Sequence, residues 1–501
     1  MLKNRKPASV LETVALGYLF IPVVIFMLSW LKIWISVPAV LLILIALYKV
    51  LFDKKSGEGS SGIRITPSFV LYSVICFALI LLLSYFLGIG GFTEQPYDAT
   101  KHNFILRDLI DNPWPVRLGT SGNNGLLCYY IAGYIVPAIA GKLFSGFEAA
   151  SLFSVIWHAA GIYIAVLILY KSLSDSKGKD KPVYLLYIFL VIMLFAPFNA
   201  IMQFLCICIY PDQPIPAIHW ISDSINVSFS SHLTSLRYVY PQFVPTLIVI
   251  ALMFRMRKRY DKWALIVSPL IAFSAFSFIG AVELMLILFI LDLIKDKEIR
   301  QSFRSILSIE NLSGVISAVL FLLYLSGNIM QPKPESARIG LGLVEYGNFP
   351  LVLILQELSW GLWIIFLLKA NKKEPLLWAA SICLFIFPFI EMGRFNDLCT
   401  RGSMPALVCL CILLIRQLLS ILERSQKRLI PLTVLILALL LSGAFFIPEE
   451  FHLPDSSKGL FTPQHNWWGF DNSLEFYTMN DWTRYQYISW EENPVCNFIL
   501  R

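Results

Sequence analysis

The chain has 501 residues, of which 57% are hydrophobic and 15% charged, with a formal net charge of +7. So apolar a composition excludes an ordinary soluble domain, and runs such as "VLLILIALYKVLF", which do not alternate polar and apolar residues, exclude a membrane β-barrel. The positive charge sits in short loops between apolar runs rather than on a basic face, so no nucleic-acid partner is expected and the chain reads as an all-α polytopic membrane protein.

About 20 apolar residues cross a bilayer as a helix. On that measure spans are predicted near 10–31, 33–52, 67–89, 150–170, 183–203, 237–254, 262–277, 279–294, 311–328, 348–369, 375–391, 403–421 and 429–447, about 13 crossings in all. Spans 262–277 and 279–294 are weakly separated, so one of them reads equally as a broken helix. The first run follows "MLKNRK" and shows no small-residue cleavage site, which predicts a retained helix. Lys and Arg collect in that segment and in "DKKSGEGSSGIR", "KSLSDSKGKDK", "RMRKRYDK", "KDKEIRQSFR", "KANKK" and "ERSQKR". The positive-inside rule then places the N-terminus in the cytoplasm and the last 50 or so residues outside.

Residues 126–144, "LLCYYIAGYIVPAIAGKLF", are apolar but broken by Gly133, Pro137 and Gly141. A re-entrant or interfacial helix on the outer face fits them better than a crossing, so 90–149 forms one long outer excursion. A membrane domain is therefore expected over 1–447, with 448–501 a tail too aromatic to be a disordered tether and expected to pack on the outer face. Membrane lipids are the first partner this implies. The nine cysteines show no metal-ligand spacing. Cys399 and Cys496 fall in outer segments, where pairing is open because connectivity cannot be read from sequence.

The outer excursion carries the densest set of ionisable residues. Asp98 lies just past the third span, where a carboxylate at the membrane boundary can take a proton from an incoming hydroxyl. Lys101 and His102 follow on the same face if the segment is helical. The plainer reading makes Asp98 the N-cap of an amphipathic helix through "TKHNFILRDLI", with Phe104, Ile105 and Leu109 on the membrane. Glu283 and Glu357 lie inside apolar runs, where a carboxylate is costly and often functional, although a partner such as Trp360 would also accommodate one. His219, His232 and His465 could bind a metal, but their spacing is not diagnostic and they read first as surface histidines; His158 reads as a buried polar contact. The aromatic set Trp467, Trp468, Tyr477, Trp482, Tyr485 and Trp490 suits stacking on sugar rings or an interfacial belt.

The pieces "YDATKHNFILRDLIDNPWPV" and "LLCYYIAGYIVPAIAGKLFSG", an acidic residue after an early span followed by an amphipathic helix, a "WP" turn and a "YY…P…GK…G" helix, resemble the first outer loop of GT-C fold glycosyltransferases. "RYVYPQFVP" and "GRFNDLCTRGSMPAL" are similar to patterns in uncharacterised bacterial polytopic membrane proteins that share this loop. The resemblance implies transfer of a sugar from a polyprenyl phosphate or diphosphate donor to a glycan, lipid or protein acceptor, at the outer face of a bacterial cytoplasmic membrane. It implies Asp98 as catalytic base. Two departures are plain: two extra helices precede the acidic loop, and Tyr97 and Ala99 stand where a second acidic residue is common. A divalent metal is therefore left open, and no ligand is assigned to one.

Such a reaction needs fixed positive charge near the departing phosphate rather than a general acid. Arg237, Arg394 and Arg401 are candidates alongside Lys101 and His102, with Asn396 and Asp397 in the same loop as further substrate-binding candidates. Interfacial snorkelling, or pairing with Glu391 or Asp397, is the alternative for each arginine. The alternatives for the whole chain are an O-antigen ligase or polymerase-like enzyme and a lipid-linked glycan flippase or other transporter. Ionisable residues concentrated at one face favour chemistry there over a transport path, which would spread polar sites along a central cavity.

Overall fold

The computed structural model describes residues 10–53, 63–119, 125–144, 146–177, 181–209, 211, 227–295, 303, 305–335, 340–345, 350–393, 396–423, 429–454, 457, 459–490 and 493–501. Among them are ten helices long and apolar enough to cross a membrane, which make the chain an all-α polytopic membrane bundle. Their outward faces expose large apolar side chains such as Leu41, Val74, Leu286 and Ile365, as lipid contact requires.

Helices α1 (Val10–Trp30), α2 (Ile33–Leu51) and α3 (Pro67–Phe86) come first; Thr66 caps α3, accepting the Phe69 amide at 3.1 Å, and Pro67 sits at its first position. Next come α4 (Ala99–Asp111), strands β1 (Arg117–Leu118) and β2 (Gly125–Leu127), and α5 (Ala132–Leu143). At 12 residues α5 is too short to cross, and it is buried against α1, α4 and α6 (Phe147–Lys177) rather than laid on lipid. The next expected span is two helices, α7 (Tyr184–Leu194) and α8 (Asn199–Ile209), separated at Phe195–Phe198.

Helix α9 (His232–Arg255) is almost wholly buried and packs against α1, α6 and α7. It departs from helical geometry at Val239, two residues before Pro241, whose ring and missing N–H disrupt the preceding turn. The region expected to hold two spans resolves into a broken short element, α10 (Trp263–Val267) and α11 (Leu270–Phe273), then one full helix, α12 (Ala275–Lys295). Helix α13 (Ile309–Ile329) precedes strand β3 (Leu341–Leu343) and helices α14 (Pro350–Asn371) and α15 (Pro375–Ile386).

Strand β4 (Ile390–Met392) pairs antiparallel with β3. A π-helical turn over Leu398–Gly402 leads into α16 (Met404–Glu423), followed by α17 (Leu429–Gly443) and α18 (Ile447–Glu450). The expected crossings at 262–277, 375–391 and 429–447 thus correspond to helices shorter than a full span.

The tail does not hang free. It contributes α19 (Ser473–Thr478), α20 (Asp481–Tyr487), strand β5 (Ile488–Ser489) and α21 (Pro494–Ile499), and β5 adds an antiparallel edge to β2. Its last residues grip the α1–α2 turn: the Arg501 amide donates to Trp30 O at 2.9 Å and the Lys32 ammonium to Asn497 O at 2.7 Å.

Candidate active site beneath the C-terminal tail

Residues 96–101 turn into α4 so that Asp98 and Lys101 lie one helical turn apart, and the Lys101 ammonium donates to Asp98 at 2.7 Å. Asp98 stands at the N-cap position but in helical geometry and makes no capping bond. Its carboxylate turns to Lys101 instead, which replaces the N-cap expectation. From the other side of the chain, the π turn presents Asp397 and Arg401, paired at 3.0 Å, and Arg401 also donates to the Tyr130 hydroxyl at 3.3 Å. Asn396 is buried beneath this turn, with a positive φ of 46°, and its side-chain oxygen accepts the amides of Met392 and Cys399. It shapes the turn rather than facing a substrate.

The two ion pairs share one cavity of about 560 Å³. Asp98, Lys101, Asp397 and Arg401 form its charged floor; Tyr97 and the tail residues Trp468, Phe470, Trp482 and Tyr487 give it aromatic walls, with Asn480, Thr483 and Gln486 as polar groups among them. Burial alone would push the Asp98 carboxyl up, but the Lys101 ammonium it bonds and the nearby Arg401 outweigh this and hold it below its usual value. Burial also draws the Lys101 ammonium down, opposed by Asp98.

His102 lies behind Lys101 and not on the cavity wall. Its Nε2 donates to Tyr238 O at 2.8 Å, a carbonyl at the α9 break, which leaves Nδ1 to accept the Tyr134 hydroxyl at 2.5 Å. Burial, with Lys101 adding to it, pushes the imidazole down to about 3, so it is neutral and holds α4 to α5 and α9. A neutral ring with both nitrogens engaged does not supply the cation expected of it.

Arg237 is also placed elsewhere: it is buried in α9, donates to Glu450 O at 2.6 Å, and lies 3.4 Å from the Glu450 carboxylate. A partner of opposite charge makes it a clamp between α9 and α18. Arg394 and His219 lie outside the described residues.

The remaining expectations divide in the same way. The Trp360 indole donates to Glu357 at 3.1 Å, the partner foreseen for that carboxylate, whereas Glu283 is half-buried on α12. His158 is the buried polar contact expected, bonded to Ser154 O at 2.7 Å. His232 and His465 are not surface histidines: His232 donates to Ile192 O at 2.8 Å, and the His465 ring packs on Gly91 and bonds Ser151 at 3.1 Å. Among the described residues no three His, Cys, Asp or Glu side chains gather as a metal site.

The aromatic set of the tail plays two parts. Tyr477 is fully buried and donates to Asp108 at 3.0 Å, beside Ser473 at 2.7 Å, while Trp467 packs on Phe104 and lies under the Arg107 guanidinium, 5.2 Å from the ring centre. These residues anchor the tail to α4. Trp468 and Trp482 face the cavity. What sequence reading missed are Tyr97, the chain neighbour of Asp98, and Asn480, Thr483, Gln486 and Tyr487, which join the site only through docking of the tail.

Chemically the arrangement offers two carboxylates paired with two cations, and stacking surfaces, around a space large enough for a sugar phosphate. No protein-family model, curated protein or solved structure matches the chain.

Proposed function

We propose that the chain is a GT-C-type integral membrane glycosyltransferase, moving a sugar from a polyprenyl (di)phosphate donor to an envelope glycan, lipid or protein acceptor at the outer face of the cytoplasmic membrane. The observation that carries this reading is the convergence of the Asp98–Lys101 and Asp397–Arg401 pairs on one aromatic-walled cavity at the end of an apolar bundle.

In this reading the acceptor hydroxyl attacks the anomeric carbon, Asp98 takes its proton, and the lipid phosphate leaves. Lys101 and Arg401 stabilise the charge that grows on the departing phosphate, with the Arg401 fork suited to its oxygens. Pairing in the resting site has a further use. A bound phosphate competes for the Lys101 ammonium and releases Asp98 from the contact that lowers its basicity, so base strength rises when donor is present.

The test is transfer from short-chain polyprenyl-phosphate sugars by the purified full-length protein in nanodiscs, wild type against Asp98→Asn. Product formed by wild type and lost in the variant, with donor binding retained, supports the reading. Turnover unchanged in Asp98→Asn removes Asp98 as the base, and wild type inactive with every such donor overturns the reaction class.

A further inference from the structure

Cys128 directly follows β2, and its amide donates to Tyr487 O at 2.8 Å, where the tail crosses this strand. Cys496 lies in α21, the last helix of the tail. Both thiols donate to one acceptor, the carbonyl oxygen of Tyr324 on α13, at 3.0 Å and 3.2 Å respectively. Gly327 lies on the same helix beside them: a Cβ there would meet the Cys496 sulfur at 2.5 Å and the Cys128 sulfur at 3.6 Å. Its missing side chain leaves the space in which the two sulfurs sit. Cys399 on the π turn, whose pairing with Cys496 the sequence leaves open, points instead at Ser228 O, 3.7 Å away.

We infer that Cys128 and Cys496 form a disulfide that staples the end of the tail to the strand beneath it and so fixes the roof of the cavity. Two sulfurs hydrogen-bonded to a single oxygen are neighbours, no further apart than those two bonds laid end to end, and the β2–β5 pairing already holds the two segments together; closing the bond asks the side chains to rotate toward each other. The bond would close a loop between the first outer excursion and the last helix, so that α19 and α20 stay over Asp98 and Arg401. The inference does not depend on the reaction proposed above. It asks only that this end of the bundle meet an oxidising compartment, where such bonds persist.

The chemistry balances with an external disulfide as oxidant. The thiolate of one cysteine attacks it and expels one thiol; the thiolate of the second attacks the protein sulfur of the mixed disulfide and expels the other. Two protein thiols are oxidised and one external disulfide is reduced to two thiols. Burial raises both protein thiols above their usual range, so exchange is slow while the tail is docked and proceeds when α21 lifts.

The experiment treats purified, fully reduced full-length protein in detergent with oxidised glutathione, traps remaining thiols with N-ethylmaleimide, and maps the cysteines by mass spectrometry after proteolysis. The expected result is a linked peptide joining Cys128 to Cys496, absent from Cys128→Ser and Cys496→Ser, with Cys399 alkylated. Because serine keeps a hydrogen bond to Tyr324 O, both variants are expected to fold, and wild-type melting behaviour in the reduced state checks this. In the oxidised wild type, protease cuts between the two cysteines leave the tail attached on a non-reducing gel, and reductant releases it. Both cysteines recovered as separate glutathione or maleimide adducts, or Cys496 linked to a different cysteine, would overturn the staple.

Discussion

The two ends of the bundle use charge differently. At the end away from the tail, ions pair between helices: Arg255 of α9 with Glu12 of α1, Lys49 of α2 with Glu310 of α13 at 3.2 Å, Arg257 with Asp292 of α12 at 3.0 Å, and Arg416 of α16 with Glu374 at 3.0 Å. At the tail end Arg237 of α9 clamps Glu450 of α18 in the same way, but Lys101 pairs with Asp98 and Arg401 with Asp397, each within a single helical turn. A pair between helices fixes their spacing, and breaking it leaves a charge stranded. A pair within one turn fixes nothing beyond itself, so its free face is available to a ligand. Pairs that join helices, against pairs closed within one turn on a cavity wall, are the distinction that mutation can break.

The largest effect is expected at the tail end. Asp98→Asn removes the proposed base and, from the usual size of general-base contributions, is expected to lower transfer by about 100-fold or more, far beyond any stability it loses by leaving Lys101 without its partner. Because the carboxyl is held below its usual value, the activity it supports persists at neutral pH and is lost only as pH falls below the ordinary carboxylate range; a pH–rate profile checks this. At the other end the signature reverses. Glu12→Gln removes the carboxylate that Arg255 pairs with between α1 and α9 and is expected to lower stability, read by thermal unfolding in detergent, with transfer per folded molecule unchanged. Adding Arg255→Met should recover much of that loss. Equal losses of activity and stability at both ends would erase the distinction.

A smaller effect should connect framework and site. Gly280 of α12 lies so close to Gly402 that a Cβ would run into its carbonyl oxygen, and the Ser277 hydroxyl donates to Arg401 O at 3.2 Å. Gly280→Ala must push the π turn away, at a cost of about 2 kcal/mol for overpacking. Because that turn carries Arg401, KM for the donor should rise as well, and a stability loss with unchanged KM would show that the turn moves as a unit with Arg401 in place. Smaller still, Trp482→Ala removes one aromatic wall and should weaken acceptor or donor binding by up to about tenfold while kcat holds.

Most of the framework was legible in the sequence because lipid demands long apolar runs, and ten helices meet that demand. The short elements were less so. Residues 429–443 read as a full span because apolarity alone does not reveal where a helix stops, whereas the weak separation at 262–294 left open the broken helix found at 263–273. The nearness of Lys101 to Asp98 was legible as a three-residue spacing, and the pairing of Arg401 with Asp397 as an alternative at a four-residue spacing, but the ion pair that Lys101 makes with Asp98 was not read from sequence. The partner of Arg237 was not, since Glu450 stands 213 residues further on, and nothing local distinguishes a clamp from a phosphate ligand. The same holds for Tyr487, Asn480 and Gln486, which reach the cavity only because distant β2 accepts β5 as an edge strand.

The smallest effect expected concerns how firmly the tail sits on α4. Asp108 is buried where Ser473 and Tyr477 of α19 donate to it, and burial, only partly countered by those two bonds, pushes its carboxyl up to about 7. An undocked Asp108 titrates near 4. The docked state therefore holds the proton more tightly, so this contribution to docking is complete below about pH 4 and is lost as pH rises through 7. Protease nicking of residues 459–472 should accelerate between pH 6 and about 8, and Asp108→Asn, which keeps a neutral hydrogen-bonding group, should flatten that dependence. Arg107 and Asp111, paired loosely at 3.6 Å on the exposed side of α4, should leave it nearly unchanged when neutralised, since solvent screens them. If nicking slows as pH rises, Asp108 is ionised in the docked state, and the tail is held by charge at this point just as the framework is at the far end.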